Sequence, residues 1–218
     1  LSCVRYLVKQ GFEFAVVDSR ENPPGLEELR KDFPKISAYL GSFNKDVLSQ
    51  ADELIVSPGV SLREPAIAAC LQRGIKAIGD IELFTREAKA PIIAITGSNG
   101  KSTVTSLVGM MAKAAGKNVK VGGNLGEPAL DLLDQNADLY VLELSSFQLE
   151  TTSSLKPAAA VVLNVLPDHM DRYRDFNEYM IAKQRIYSGC QAVVINRDDP
   201  LSYKNVLLPK NTISFGID

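Results

Sequence analysis

The chain has no tryptophan, a single histidine (His169) and three cysteines, Cys3, Cys70 and Cys190. The cysteines are odd in number and far apart, so they form neither a disulfide framework nor a metal-ligand spacing. Such thiols suit a reducing compartment, where they pack as small hydrophobes. Neither sign of charge dominates: 24 Lys and Arg against 26 Asp and Glu leave a formal net charge of −2. That supplies no basic field for nucleic acid and no basic tract for a membrane surface. No apolar run approaches the roughly 20 residues that cross a bilayer. What is present is an ordinary globular composition, 45% hydrophobic and 23% charged over 218 residues, enough for one large or two small domains. The first residue is Leu1 rather than methionine, so targeting is not legible.

Leu1, Val4, Leu7 and Val8 follow the helical period, and Gly11 stands where a helix stops. "FEFAVVD" then predicts a strand ending in Asp18. A dinucleotide-type β-α-β unit has a strand and a glycine-rich turn before such a helix and an acid after it. Asp18 fits the acid, and the first strand with its glycines is expected to be missing. Beyond "ENPPG" come a helix-like stretch and then "ISAYLG", "ELIVSPG", "IAACLQRG" and "KAIGD". This alternation, punctuated by Gly and Pro, predicts parallel α/β structure. The mixed charge of "IELFTREAKAP" puts a domain boundary near residues 80 to 90. A second alternating unit follows. Strand "PIIAITG", helix "GKSTVTSLVGMMAKAAG", strand "NVKVGG" and helix "PALDLLDQN" lead to strands "DLYVLELSS" and "AAAVVLNV". Helix "FNEYMIAKQRIYSG" and strands "AVVIN" and "TISFGID" complete it.

Four stretches carry chemistry. "AITGSNGKSTVTSL" has the strand, loop and helix of a P-loop, yet Ile95 stands where the usual G-x-x-x-x-G-K-[ST] has its first glycine. Its glycine is Gly97, so the loop Gly97-Ser98-Asn99-Gly100 is shorter. Converging N–H groups and a helix N-terminus still suit an anion there. Lys101 would reach β and γ phosphates, and the Ser102 hydroxyl would ligate magnesium. In "DLYVLELSS", Leu139, Val141 and Glu143 share a strand face, and a carboxylate in so apolar a run is costly unless paired or metal-bound. Glu143 is either a strand-end glutamate reaching water or, beside a P-loop, a magnesium ligand. His169, in "NVLPDHMDRY" between Asp168 and Asp171, leaves the same end of the sheet and reads as a metal or phosphate ligand. Lys183 falls seven residues after Phe176, on the stripe marked by Tyr179 and Met180. On pattern alone snorkelling is preferred, with the stem buried and the amine exposed, the alternative being a buried lysine of lowered pKa able to serve chemically.

In this order, "TGSNGKS", "ELSSFQLE", "NVLPDHMDRY" and "GDIELF" resemble the Mur ligase family, and within it the D-glutamate-adding branch. The short loop resembles the family's TG-x-x-GK-[ST] signature. The resemblance implies an α/β protein with a Rossmann-like UDP-substrate-binding domain at 1–79 (start missing). A P-loop-type parallel α/β ATPase domain at 80–218 (end missing) follows, and a third domain is absent. It implies a bacterial cytoplasmic ligase using ATP and magnesium, with two ions. That enzyme phosphorylates UDP-N-acetylmuramoyl-L-alanine and joins D-glutamate through the acyl phosphate, whereas this length alone is expected to be inactive. It makes Lys101, Glu143, His169 and Lys183 catalytic, and gives the nucleotide Gly97, Ser98, Asn99, Gly100, Lys101, Ser102 and Thr103. It gives the metal Ser102, Glu143, His169 and Lys183, the last as a carbamate, which reverses the snorkelling reading. Asp18, Ser19, Arg20, Ser57, Gly59, Asn124, Ser145 and His169 would contact the UDP-substrate. A sibling ligase for another amino acid and a non-catalytic nucleotide-binding module are the alternatives.

Overall fold

The first helix, α1 (Ser2–Gln10), stops where Gly11 turns left-handed (φ 75°) and donates its N–H to the carbonyls of Leu7 and Val8. This is seen in a computed structural model, which describes residues 1–217. The chain divides into two units, Leu1–Ile78 and Gly79–Asp218. In the first, α1 leads to β1 (Ala15–Asp18), α2 (Leu26–Asp32), β2 (Ser37–Leu40), α3 (Lys45–Leu48), β3 (Glu53–Ile55), α4 (Pro65–Gln72) and β4 (Lys76–Ile78). Short α3, not anticipated from the sequence, starts where the Asn44 side chain accepts the N–H groups of Asp46 and Val47. The strands form two separate parallel pairs, β1 with β2 and β3 with β4. Leu54, Val56, Ile67 and Cys70 make a small core beside the second pair, and there the Cys70 thiol serves as a hydrophobe.

The second unit runs α5 (Asp80–Glu87), β5 (Ile92–Thr96), α6 (Lys101–Ala114), β6 (Val119–Gly123), β7 (Leu139–Glu143), α7 (Ser146–Glu150), β8 (Ala159–Val162), α8 (Phe176–Gln184), β9 (Ala192–Asn196) and β10 (Ile213–Phe215). Its six strands are all parallel in the order β10-β9-β8-β5-β7-β6. Central strands β5 and β7 are nearly continuous apolar runs because helices cover both faces, as parallel sheets require. Ile95, Val141, Val161 and Leu163 pack against Val104 and Val108 of α6. The chain crosses from one side of β5 to the other between β7 and β8. Open α/β sheets bind ligands at such a switch, outside the carboxyl ends of the strands.

Two sequence expectations are corrected. "PALDLLDQN" is not an α-helix but a single 3-10 turn, Ala129–Leu132. Ala129, Leu130 and Leu132 are all buried, and the Tyr140 hydroxyl takes both the N–H and the carbonyl of Asp134 that a longer helix would use. The mixed-charge "IELFTREAKAP" does not contain the boundary, which falls just before it and next to the 79/80 division that the resemblance implies, because most of the segment is α5, packed into the second unit with Ile81 and Phe84 fully buried.

Glu82 of α5 is only 3% exposed and accepts the N–H groups of Ser153 (2.8 Å) and Ser154 (2.9 Å), tying the chain after α7 to α5. Glu82→Ala would remove both bonds, and hydrogen bonds to a charged group are worth about 1.5–3 kcal/mol each. Urea unfolding should show the second unit losing roughly 3 kcal/mol. Burial pushes the Glu82 carboxyl up, but the bonds from Ser153, Ser154 and Arg86 outweigh it and hold it below the ordinary glutamate value. The unfolded chain therefore binds the extra proton first. Glu82's stabilisation is present above that ordinary value and lost as pH falls below it. The gap between wild type and variant should close on acidification.

Candidate nucleotide and metal site

The short loop between β5 and α6 is braced by its neighbours. Gly100 takes φ 79° at the N-terminus of α6, a conformation that disfavours any side chain. Lys101 Nζ folds back on the carbonyls of Gly97 (3.1 Å) and Ser98 (3.0 Å). Asn164, just beyond β8, accepts the N–H groups of Ser98 (3.1 Å) and Asn99 (2.8 Å) through its side-chain oxygen. Those two N–H groups are thus engaged within the protein. The first turn of α6, at Lys101, Ser102 and Thr103, keeps N–H groups without intrahelical acceptors, at the positive end of the helix.

Glu143 closes β7 opposite Ile95 of β5 and Gly123 of β6. It is 2% exposed, its Oε2 accepts the Ser102 hydroxyl (2.8 Å) and its Oε1 accepts the Asn124 amide (2.8 Å). Among the described residues it has no cationic partner, so a buried negative charge is held by neutral donors alone. A carboxylate and a hydroxyl beside a phosphate-binding turn are the oxygen set that suits magnesium. The backbone pins this arrangement: a Cβ on Gly123 (φ 102°) would lie 2.5 Å from the Glu143 carbonyl oxygen. Asn124 therefore meets Glu143 only because the preceding residue has no side chain.

Lys183 is 2% exposed and donates to the Gly97 carbonyl at 2.8 Å, the same oxygen that Lys101 reaches. The amine is buried, which overturns the snorkelling pattern. Burial pushes its pKa down to about 7, the positive charge of Lys101 adds to the effect, and Asp168 opposes it. Its Nζ lies 4.7 Å over the Tyr179 ring, whose hydroxyl meets Ser98 Oγ at 3.0 Å.

His169 holds φ 54°, the only positive φ at a non-glycine among the described residues. Its ring packs on Phe147 (4.8 Å) and edge-on to Tyr179 (6.3 Å), and its Nε2 stands 3.4 Å from the Asp168 carboxylate. Ser102, Glu143 and Asn124 are thus in direct contact, and Lys101 and Lys183 meet at one carbonyl. His169 joins them only through Tyr179. No group of three His, Cys, Asp or Glu side chains able to hold a metal occurs among the described residues.

Ser145 is the N-cap of α7: its hydroxyl accepts the Gln148 N–H while the Gln148 side chain accepts the Ser145 N–H. Gln148 in turn donates to Asp80 (3.1 Å). Sequence reading missed Asn164, Gln148 and Asp80. A polar residue immediately after an apolar strand was the available signal for Asn164.

In the first unit, Asp18, Ser19, Arg20, Ser57 and Gly59 line one cavity of about 360 Å3, with Phe43 and Leu54 among its apolar walls. Arg20 grips Asp18 with two bonds, Nε at 2.8 Å and a terminal nitrogen at 2.7 Å, and this lowers the Asp18 pKa. "SPG" forms a turn closed by the Val60 N–H on the Ser57 carbonyl (2.9 Å).

A nucleotide-type loop on a parallel sheet, with an acidic residue on the next strand, defines a class that sequence comparison resolves. The Mur ligase MurD-like N-terminal domain matches residues 1–79 and the Mur ligase middle domain residues 95–218, and the chain belongs to the Mur ligase family. It is 63% identical over 202 residues to the UDP-N-acetylmuramoylalanine–D-glutamate ligase of Marinobacter nauticus, covering 93% of this chain and 45% of that protein. The enzyme of the same name from Coxiella burnetii is 51% identical across 100% of this chain and 49% of its own length. The chain thus spans about half the length of these relatives. Among solved structures, the UDP-N-acetylmuramate:L-alanyl-gamma-D-glutamyl-meso-diaminopimelate ligase of Neisseria meningitides superposes with TM-score 0.60. It has 18% identity, over 96% of this chain and 71% of that one. The UDP-N-acetylmuramate-alanine ligase of Thermotoga maritima gives 0.54 at 23% identity, over 100% and 50%. These two establish the fold. No helix among the described residues is long and apolar enough to cross a membrane.

Proposed function

We propose that this chain forms the UDP-substrate-binding part (1–79) and the ATP-binding part (80–218) of a ligase joining D-glutamate to UDP-N-acetylmuramoyl-L-alanine. The observation that carries the reading is the buried Glu143 carboxylate on the Ser102 hydroxyl at the start of α6, with Lys183 buried at the loop's own carbonyl. The identity to relatives named for this reaction supports the choice of amino acid. Nucleotide substrates of this kind put the reaction in the bacterial cytoplasm.

In the reaction, the alanine carboxylate of the UDP-sugar takes the γ-phosphoryl of ATP to give an acyl phosphate and ADP. The amine of D-glutamate then attacks the acyl carbon and expels phosphate, forming the amide. Phosphoryl transfer needs alignment and charge neutralisation more than covalent help. The first turn of α6 and the Lys101 ammonium supply both, once Lys101 leaves the carbonyls of Gly97 and Ser98 for the phosphates. Bound magnesium would neutralise developing charge between the phosphates and the acceptor carboxylate. Ser102 and Glu143 are the residues that would hold one ion. Lys183, neutral in good part near pH 7, can add to CO2 and lose a proton, and the resulting carbamate would serve a second ion. His169 would serve the ions as well as the substrate, Ser57, Gly59 and Asn124 would contact the UDP-sugar and its alanine arm, and Asp18, Ser19 and Arg20 the uracil nucleotide.

The test is phosphate release by the intact parent protein with magnesium, ATP, UDP-N-acetylmuramoyl-L-alanine and a panel of amino acids. Release that depends on D-glutamate is expected. Release with another amino acid would make it a sibling ligase, and no release with any would leave a nucleotide-binding module.

A further inference from the structure

We infer that Asn164 is the positioning residue that holds the shortened nucleotide loop in its binding conformation before any nucleotide arrives. The inference rests on the reading of residues 97–103 as a phosphate site.

Four residues, Gly97 to Gly100, separate β5 from α6. So short a loop cannot satisfy its own backbone, and polar groups left unpaired at buried Gly97 and half-buried Ser98 would cost free energy, whereas those of exposed Asn99 would turn to water and lose their fixed direction. The Asn164 side chain supplies what the loop lacks. Its oxygen accepts from the N–H groups of Ser98 and Asn99 at 3.1 and 2.8 Å, and its amide donates to the Asn99 carbonyl at 3.1 Å. Its main-chain carbonyl also takes the Ser98 N–H at 3.0 Å. The remaining carbonyls, of Gly97 and Ser98, go to Lys101 and Lys183.

Asn164 is itself anchored from both sides. The Leu163 N–H donates to the Thr96 carbonyl of β5 at 2.9 Å, and the Asn196 amide of β9 donates to the Leu163 carbonyl at 2.8 Å. Asp199 accepts the Val165 N–H at 2.7 Å. Close packing completes the clamp, since a Cβ on Gly97 would come within 3.0 Å of Leu163 Cβ. Only a carboxamide of this length offers an acceptor to two N–H groups and a donor to one carbonyl. With Ser98 and Asn99 turned toward Asn164, the N–H groups left for phosphate are those of Gly100 and the first turn of α6. The loop backbone therefore presents its anion site as it stands, and only the Lys101 side chain has to leave the Gly97 and Ser98 carbonyls, which lowers the cost of binding.

Asn164→Ala in the intact parent protein removes up to three hydrogen bonds, each worth about 0.5–1.5 kcal/mol. We expect KM for ATP, and Kd for ADP with magnesium, to rise roughly 10- to 100-fold. KM for the UDP-substrate should stay within about twofold of wild type, because an intact fold leaves that site unchanged. Amide exchange should accelerate at Ser98 and Asn99 ahead of the rest of the sheet. Unchanged nucleotide affinity, or equal loss for both substrates, overturns the inference. If the alanine variant does not fold, Asn164→Asp keeps the volume but loses the donor and adds a charge. Its ADP affinity should fall at least tenfold, and wild-type affinity would overturn the inference. Failure of the wild-type protein to bind ATP or ADP at all would instead overturn the phosphate-site reading and this inference with it.

Discussion

Replacing Lys183 with alanine should lower D-glutamate-dependent phosphate release by about 10²–10³-fold, the range typical for losing one preorganised electrostatic group, while binding of the UDP-substrate stays nearly intact. The lysine sits on a buried stripe with its amine on the Gly97 carbonyl, where an ammonium is poorly solvated and crowded by Lys101. With its pKa near 7, the amine is about half neutral at pH 7 rather than almost wholly charged as an ordinary lysine would be. Only the neutral amine adds to CO2. The carbamate should therefore build up as pH rises through 7 and decline below it, where the ammonium takes over. Carbon-13 spectra with labelled bicarbonate should show a carbamate signal in the wild type and none in Lys183→Ala. Undiminished turnover in the variant would refute a chemical role for this lysine.

Glu143→Gln should lower phosphate release by about 10²–10³-fold at fixed magnesium and move the magnesium dependence to concentrations roughly tenfold higher. The substitution keeps the shape, removes the charge and turns one of the two acceptor oxygens into a donor, which the Ser102 hydroxyl can accept while the remaining oxygen takes the Asn124 amide. That charge is buried and met by two neutral donors, an arrangement that costs stability in the absence of a cation. The thermal midpoint of Glu143→Gln in a metal chelator should accordingly equal or exceed that of the wild type, with the order reversed in magnesium. A variant that is both less active and less stable under every condition would instead assign Glu143 a structural role. Loss of activity with a gain in metal-free stability is what a site residue shows, because function retained a group that folding alone would replace.

The motif residues were legible because each lay inside a strong local pattern. Gly100-Lys101-Ser102 followed an apolar strand and opened a helix, and Glu143 stood at the end of an apolar strand run where a carboxylate is costly unless paired or metal-bound. Asn164 was not legible as part of the loop. Its partners Ser98 and Asn99 lie 66 and 65 positions away, and they meet it only because β8 pairs with β5. Asp80 and Gln148, 68 positions apart, escaped notice for the same reason. Lys183 was misjudged on pattern because periodicity places a side chain on a face but does not say whether its end reaches water. Here Tyr179 and the Gly97 carbonyl hold it inside.

The sequence by itself determined the parallel α/β class, the order of strands and helices through most of the chain, the shortened loop and the strand-end carboxylate. All of these rest on spacing within a few residues, which local periodicity and turn chemistry encode. Only the tertiary structure decided that Asn164 clamps the loop, that Lys183 is buried and that residues 129–132 make a single 3-10 turn. In each case the deciding partner is distant in sequence or lies on another element. Hydrogen bonding and packing across neighbouring strands then outweigh what the local pattern prefers.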